Sequence, residues 1–91
     1  MLPILWRAEA STDLSAILKY IAARSPQSAF DLKAEIQHAV SQLPHHPFLY
    51  RLGRLPNTRE LVVRSNYILV YRVSPTFIEI LSVLHSHQQY P

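Results

Sequence analysis

No cysteine occurs among the 91 residues, which excludes a disulfide framework and any thiolate metal site. Glycine is almost absent as well. Gly53 is the only one, so the turns have to be built from Pro, Ser and Asn. No stretch approaches the roughly 20 apolar residues of a membrane span, and the first residues lack a signal-peptide pattern. These absences predict a cytoplasmic protein without a membrane partner. Charged residues are also sparse, 16% against 48% apolar, the balance of a globular chain and not of a disordered one. At this length the chain is expected to be one domain, residues 1–91, with a single modest core.

Lysine is missing from the whole second half. Residues 1–43 balance Arg7, Lys19, Arg24 and Lys33 against Glu9, Asp13, Asp31 and Glu35. Residues 44–91 set Arg51, Arg54, Arg59, Arg64 and Arg72 against only Glu60 and Glu79, so the net charge of +3 resides there. Four of the five histidines lie there too. An all-arginine basic half favours planar recognition of carboxylate or phosphate.

What is present reads as an α+β domain. Leu2 to Trp6 is a short apolar run, predicted to be a strand. Leu14, Ile17, Leu18 and Ile21 then fall at i, i+3, i+4 and i+7, which predicts a helix over about 9–24. Ser25-Pro26 is a restart signal, with Ser as N-cap and Pro at the first helical position. The second helix should run from Pro26 to about Leu43, with Ala29, Leu32, Ile36, Val40 and Leu43 on one face. So short a break implies an antiparallel hairpin with both stripes turned to one sheet. Residues 44–57 read as a loop, too apolar at Phe48, Leu49, Tyr50, Leu52 and Leu55 to be a free linker. Three strands are predicted at about 59–64, 67–73 and 77–85, with connections of hairpin length and antiparallel pairing.

Two-residue periodicity puts Arg59, Leu61 and Val63 on one face of the first of these strands, with Glu60, Val62 and Arg64 on the other. The second has two apolar faces, Ile68 and Val70 against Tyr67, Leu69, Tyr71 and Val73. Helices can cover one face of such a sheet. The other must be closed by the 44–57 loop, by a partner chain or by both.

Three groups of residues could carry chemistry. Arg72 shares a face with Ile68 and Val70, and an arginine on an apolar strand has to reach water, an anion or an internal carboxylate such as Glu79 or Glu60. His85 and His87, two residues apart at a strand end and followed by Tyr90, could serve acid–base catalysis. With arginine to stabilise a charged phosphorane, they are the parts of a metal-free phosphodiester cleavage. No cofactor and no metal is implied, since His-x-His without a nearby carboxylate is a poor ligand set. His45-His46 with Tyr50, Arg51 and Arg54 interleaves basic and aromatic side chains, a pattern suited to stacking and phosphate contact or simply to packing over the sheet.

The chain resembles the RelE/ParE superfamily of bacterial toxins from type II toxin–antitoxin modules. The likeness rests on the opening strand with AEASTDLSAILKYIA and a second helix, on LPHHPFLYRLGRLPNTREL, and on NYILVYRV and IEILSVLH. The resemblance implies the fold already read from periodicity: an N-terminal strand, an antiparallel helix hairpin, then three antiparallel strands forming a small twisted sheet. It also implies a toxin that arrests bacterial growth, bound by a cognate antitoxin in a hetero-oligomer. Tyr67, Leu69 and Tyr71 would then form the apolar sheet surface that the antitoxin covers. Arg51, Arg54, Arg59 and Arg64 would contact nucleic acid or the target. The overall pattern, with the ending VLHSHQQYP, is nearer to the ParE-like branch, whose members poison DNA gyrase. The alternative is a RelE-like endoribonuclease cleaving mRNA at the ribosome or free, with Arg72, His85, His87 and Tyr90 as catalytic residues. The paired sheet lysines of that branch have no counterpart here, because Lys33 is the last lysine.

Overall fold

A computed structural model describes residues 1–88 and 90. The elements are β1 (Ile4–Trp6), α1 (Ala8–Ala22), α2 (Pro26–Gln42), β2 (Arg51–Leu52), β3 (Arg59–Val63), β4 (Tyr67–Val73) and β5 (Ile78–His85), with a single 3-10 turn at Leu43–His45. The predicted order holds. The helix restart is built as the sequence signals: Pro26 opens α2 and the Ser25 hydroxyl accepts the Ser28 N–H at 3.2 Å. Among the described residues no helix is long and apolar enough to cross a membrane.

The sheet is larger and more mixed than three antiparallel strands. Its order is β1-β5-β4-β3-β2, with β1 parallel to β5 and every other pair antiparallel. The additional edge strand, β2, lies inside the segment that reads as a loop, since two residues carry no period to detect. β3 also ends one residue early. Arg64 (φ 57°) and Ser65 (φ 66°) both take the left-handed conformation that tight hairpins demand, in a chain with no glycine to spare there. Arg64 therefore does not continue the Glu60–Val62 face. It swings toward α2 and grips Glu35 through two bonds of 2.7 and 2.6 Å.

The core lies between the helices and one sheet face. Leu32, Ile36 and Val40 of α2 meet Leu61 and Val63 of β3, Leu69 and Tyr71 of β4, and Ile78, Ile80 and Val83 of β5. The apolar stripe of α1 is only half-buried, because Leu14 and Leu18 turn toward a groove between the two helices as well as toward the sheet. β5 carries a bulge: Val70 pairs with Ser82 and Tyr71 with Ile80, leaving Leu81 as the extra residue. Just beyond it the Val83 N–H is taken by the carboxylate of Asp13, at 3.0 Å, from α1. Asp13 thereby fixes the helix to the irregular part of the strand, a role its charge alone does not reveal.

The face away from the helices is a different surface. The register sets Glu60 beside Val70 and Val62 beside Ile68, and then Val70 beside Ser82 and Arg72 beside Glu79. Although no helix lies over them, Ile68 and Val70 are only 6% and 2% exposed. After His85 the chain reverses, the Gln88 N–H bonding to the His85 carbonyl at 2.9 Å. Tyr90 is then held by Arg54, in the β2–β3 connection. Tyr90 therefore sits at the β2–β3 side of the sheet, away from the β1 side.

Candidate functional surfaces

Each of the five arginines of the basic half is bonded within the chain. Arg51 reaches the buried Glu60 at 2.6 Å across the β2–β3 pair. Arg54 donates to the Tyr90 carbonyl at 2.9 Å and lies 4.7 Å over its ring. Arg59 donates to the carbonyls of Phe48 and Tyr50 at 3.0 and 2.8 Å, and Arg64 holds Glu35. Arg72 binds the buried Glu79 at 2.8 Å, and Arg7, in the link from β1 to α1, binds the other oxygen of the same carboxylate at 2.8 Å. The Arg72 hydrogen bond holds the Glu79 carboxyl below the usual carboxylate range, burial opposes it, and Arg7 adds to the lowering. The sequence leaves Glu79 or Glu60 as an internal partner of Arg72, and the structure pairs it with Glu79; Arg7 as the third member is a product of the parallel β1–β5 pairing, which composition does not disclose.

The residues with nuclease potential are not gathered at one place. His85 pairs with Tyr67 at the start of β4, whereas Arg72 lies five residues along that strand, about 17 Å away at the rise of a strand. An odd spacing also puts Tyr67 and Arg72 on opposite faces. His85 and His87 do come together, their ring centroids 5.0 Å apart, with the Tyr67 ring edge-on to His85 at 5.6 Å. The His85 Nδ1 accepts the His87 backbone N–H at 3.3 Å. Tyr90 lies apart from them beside Arg54, its phenol oxygen buried and without a hydrogen-bond partner among the described residues. No group of three His, Cys, Asp or Glu side chains fit to hold a metal occurs among the described residues.

The three positions expected to meet an antitoxin divide differently. Leu69 and Tyr71 are wholly buried beneath the helices, and the Tyr71 hydroxyl donates to the Pro47 carbonyl at 2.7 Å. They are therefore core residues and not a partner surface. Strand periodicity groups the three residues on one face but does not say which face the helices take. Tyr67 alone keeps some exposure, lining a cleft with Ala16, Ile17, Tyr20 and His85. The open apolar surface lies instead between the helices, in a groove of about 540 Å³ lined by Trp6, Leu14, Leu18, Ala22, Ala29 and Phe30. Lys19 and Lys33, the only lysines of the chain, also line it. Sequence reasoning assigns this stripe wholly to the core, and only the half-buried state of Leu14 and Leu18 distinguishes the groove.

Comparison with known proteins gives the family. Residues 4–90 match the model of the ParE toxin of the type II toxin–antitoxin system parDE. The chain belongs to the ParE toxin family. It is thus a toxin of a type II toxin–antitoxin system, within the RelE/ParE superfamily. A Sinorhizobium fredii protein named as a toxin, Y4kP, is 42% identical over 89 residues, covering 97% of this chain and 92% of its own length. Toxin RelE2 of Caulobacter vibrioides is 31% identical over 86 residues, covering 94% of this chain and 97% of its own. Among solved structures, a chain of the chromosomal ParDE system from P. aeruginosa superposes with a TM-score of 0.81 at 25% identity, covering 93% of this chain and 96% of that one. YafQ from E. coli, at 11% identity and a TM-score of 0.67 over 94% of each chain, shares the fold.

Proposed function

We propose that this ParE-family toxin arrests growth as ParE-like toxins do, by poisoning DNA gyrase, and that a cognate antitoxin neutralises it. What supports this reading over RNA cleavage is the dispersal of the candidate catalytic side chains. Arg72 is spent on Glu79 far from the histidine pair and on the other sheet face, and Tyr90 is turned inward beside Arg54. A metal-free phosphodiester cleavage needs its base, acid and charge-stabilising arginine around one phosphate. The antitoxin fits the groove between α1 and α2, whose apolar floor and lysines suit an amphipathic segment carrying acidic side chains.

The ribonuclease reading rests on one observation, the contact of His85 and His87 beside Tyr67. Induction of the toxin separates the two. Gyrase poisoning produces an SOS response and accumulated cleaved DNA–gyrase complex with intact transcripts, and it survives His87→Ala, Tyr90→Phe and Arg72→Ala in folded protein. Mapped cuts in mRNA that disappear with those substitutions would sink the gyrase reading.

A further inference from the structure

The loop between α2 and β3 holds a surface that neither the groove nor the histidine pair accounts for. Among the described residues nine large apolar side chains are exposed, and four of them lie in one eight-residue stretch of this loop, 48–55. Phe48 is 64% exposed, Leu49 69%, Leu52 72% and Leu55 40%. Apolar exposure concentrated in one short segment, unlike single scattered side chains, points to an interaction site.

The segment is not loose. Tyr71 and Arg59 hold the carbonyls of Pro47, Phe48 and Tyr50 from below. The Thr58 hydroxyl donates to the Leu55 carbonyl at 2.7 Å, and the Gly53 N–H donates to the Thr58 carbonyl at 2.8 Å. The chain's single glycine is used here, because a Cβ at Gly53 would stand 2.3 Å from the Thr58 hydroxyl. The backbone is thus fixed from inside while its apolar side chains point out. Such a surface loses little freedom on binding. β2 adds an unpaired outer edge, since it bonds only to β3 and ends the sheet.

Charge identifies the partner. No acidic residue occurs between Asp31-Lys33-Glu35 on α2 and Glu60, and Glu60 is neutralised by Arg51. Arg54 and Arg59 leave the patch positive, which disfavours a second copy of the same surface. The arginine heads are occupied by Glu60, Tyr90 and backbone carbonyls, while the outward side chains are apolar, which favours protein over a nucleic-acid backbone. We propose that Phe48, Leu49, Leu52 and Leu55 with the β2 edge form the target-recognition surface of the toxin. It would take an acidic protein segment that lays apolar side chains on the patch and extends the sheet at β2. This rests on the toxin reading above but not on which target is correct, and it separates target binding from the antitoxin groove on the far side of α2.

The test pairs two variants, Leu49→Asp/Leu52→Asp in the patch and Leu18→Asp in the groove, each produced with the antitoxin encoded beside the gene and checked by thermal melting. The patch variant should lose growth arrest, through a fall of roughly 30-fold or more in target affinity, and keep antitoxin affinity within about twofold. The groove variant should remain toxic and escape neutralisation. A patch variant that still arrests growth overturns the inference, and so does one that loses antitoxin binding together with toxicity. Loss of toxicity in Arg54→Gln but not in the leucine variant would assign the surface to nucleic acid and also overturn it. A wild-type chain that does not arrest growth removes the toxin reading itself, and this inference with it.

Discussion

The two faces of this sheet are made from the same kinds of residue and are stabilised in different ways. On the helix side, Leu69 and Tyr71 are sealed by Leu32, Ile36 and Val40, and the arrangement depends on close packing. On the other side, Ile68 and Val70 share their surface with carboxylates clamped by arginines, Glu60 by Arg51 and Glu79 by Arg7 and Arg72. The two apolar faces of β4 are thus bordered differently, one by a helix layer and the other by arginine–carboxylate pairs. The consequence for function is that this sheet offers no large bare face to a partner. The surfaces left for partners are the helix groove and the β2 edge.

Leu69 and Ile68 are neighbours on β4 that point to opposite faces, so they test the difference directly. Leu69→Ala should cost about 3 kcal/mol, the usual range for a leucine whose cavity cannot collapse. Ile68→Ala should cost about half of that, because side chains on the open face can close over the gap and water can reach it. Urea denaturation of both variants measures this. Equal losses would mean that the open face is a second core as rigid as the first.

Why β4 reads so clearly while its surroundings do not is a matter of range. A seven-residue, nearly continuous run of β-branched, leucine and aromatic side chains between turn signals declares a strand, and Leu14, Ile17, Leu18 and Ile21 declare a helix, because local geometry alone sets those patterns. β2 has two residues and no pattern. The parallel placement of β1 against β5 joins residues more than seventy positions apart, and with it comes Arg7 as a partner of Glu79. The groove could not be foreseen either, since Leu14 and Leu18 have the same spacing whether the stripe is sealed or open. Strand position narrows the internal partner of Arg72 to Glu79 or Glu60, and only the β4–β5 register decides for Glu79.

The faces should also fail at opposite ends of the pH scale. Burial pushes the Tyr71 phenol up to about 12, ahead of a smaller lowering by Arg59. The neutral form is the one the fold holds, so its contribution is complete below the unfolded value near 10 and is lost as pH rises through about 12. The loss should reach about 2 kcal/mol by the upper end of that window. Tyr71→Phe should remove this alkaline limb, while costing about 1 kcal/mol at neutral pH for the bond to the Pro47 carbonyl. Stability measured from pH 7 to 12 decides it. An unchanged alkaline limb in the variant would move the titration to another group.

Acid attacks the open face. The folded pKa of Glu79 lies below its ordinary value of 4.5, so its contribution is present above that value and lost as pH falls through the lowered one. Both arginines are about half exposed, at 57% and 45% of their side chains, which limits the worth of the cluster through solvent screening. Glu79→Gln should therefore cost about 1 kcal/mol at pH 7 and flatten the acid limb below pH 4.5, leaving the alkaline limb intact. A variant that loses as much stability as Leu69→Ala would show that the carboxylate anchors the fold and does not merely dress the open face.

The smallest effect belongs to the hairpin that joins the end of β3 to the start of β4. Arg64 and Ser65 occupy left-handed backbone without being glycine, a conformation that costs a residue with a Cβ about 1 kcal/mol. Among the described residues no side-chain hydrogen bond of Ser65 offsets this, so Ser65→Gly should stabilise the protein by about 0.5 to 1 kcal/mol. Arg64→Gly relieves the same strain but releases the clip to Glu35, so its net gain should be smaller. Thermal melts of the two variants in low and high salt separate the contributions: salt weakens the clip in the wild type, so it should raise the Arg64→Gly gain toward that of Ser65→Gly and leave the Ser65→Gly gain unchanged. If Arg64→Gly proves the more stabilising of the two, the clip to α2 contributes nothing, and the helix layer is held to the sheet by its apolar contacts alone.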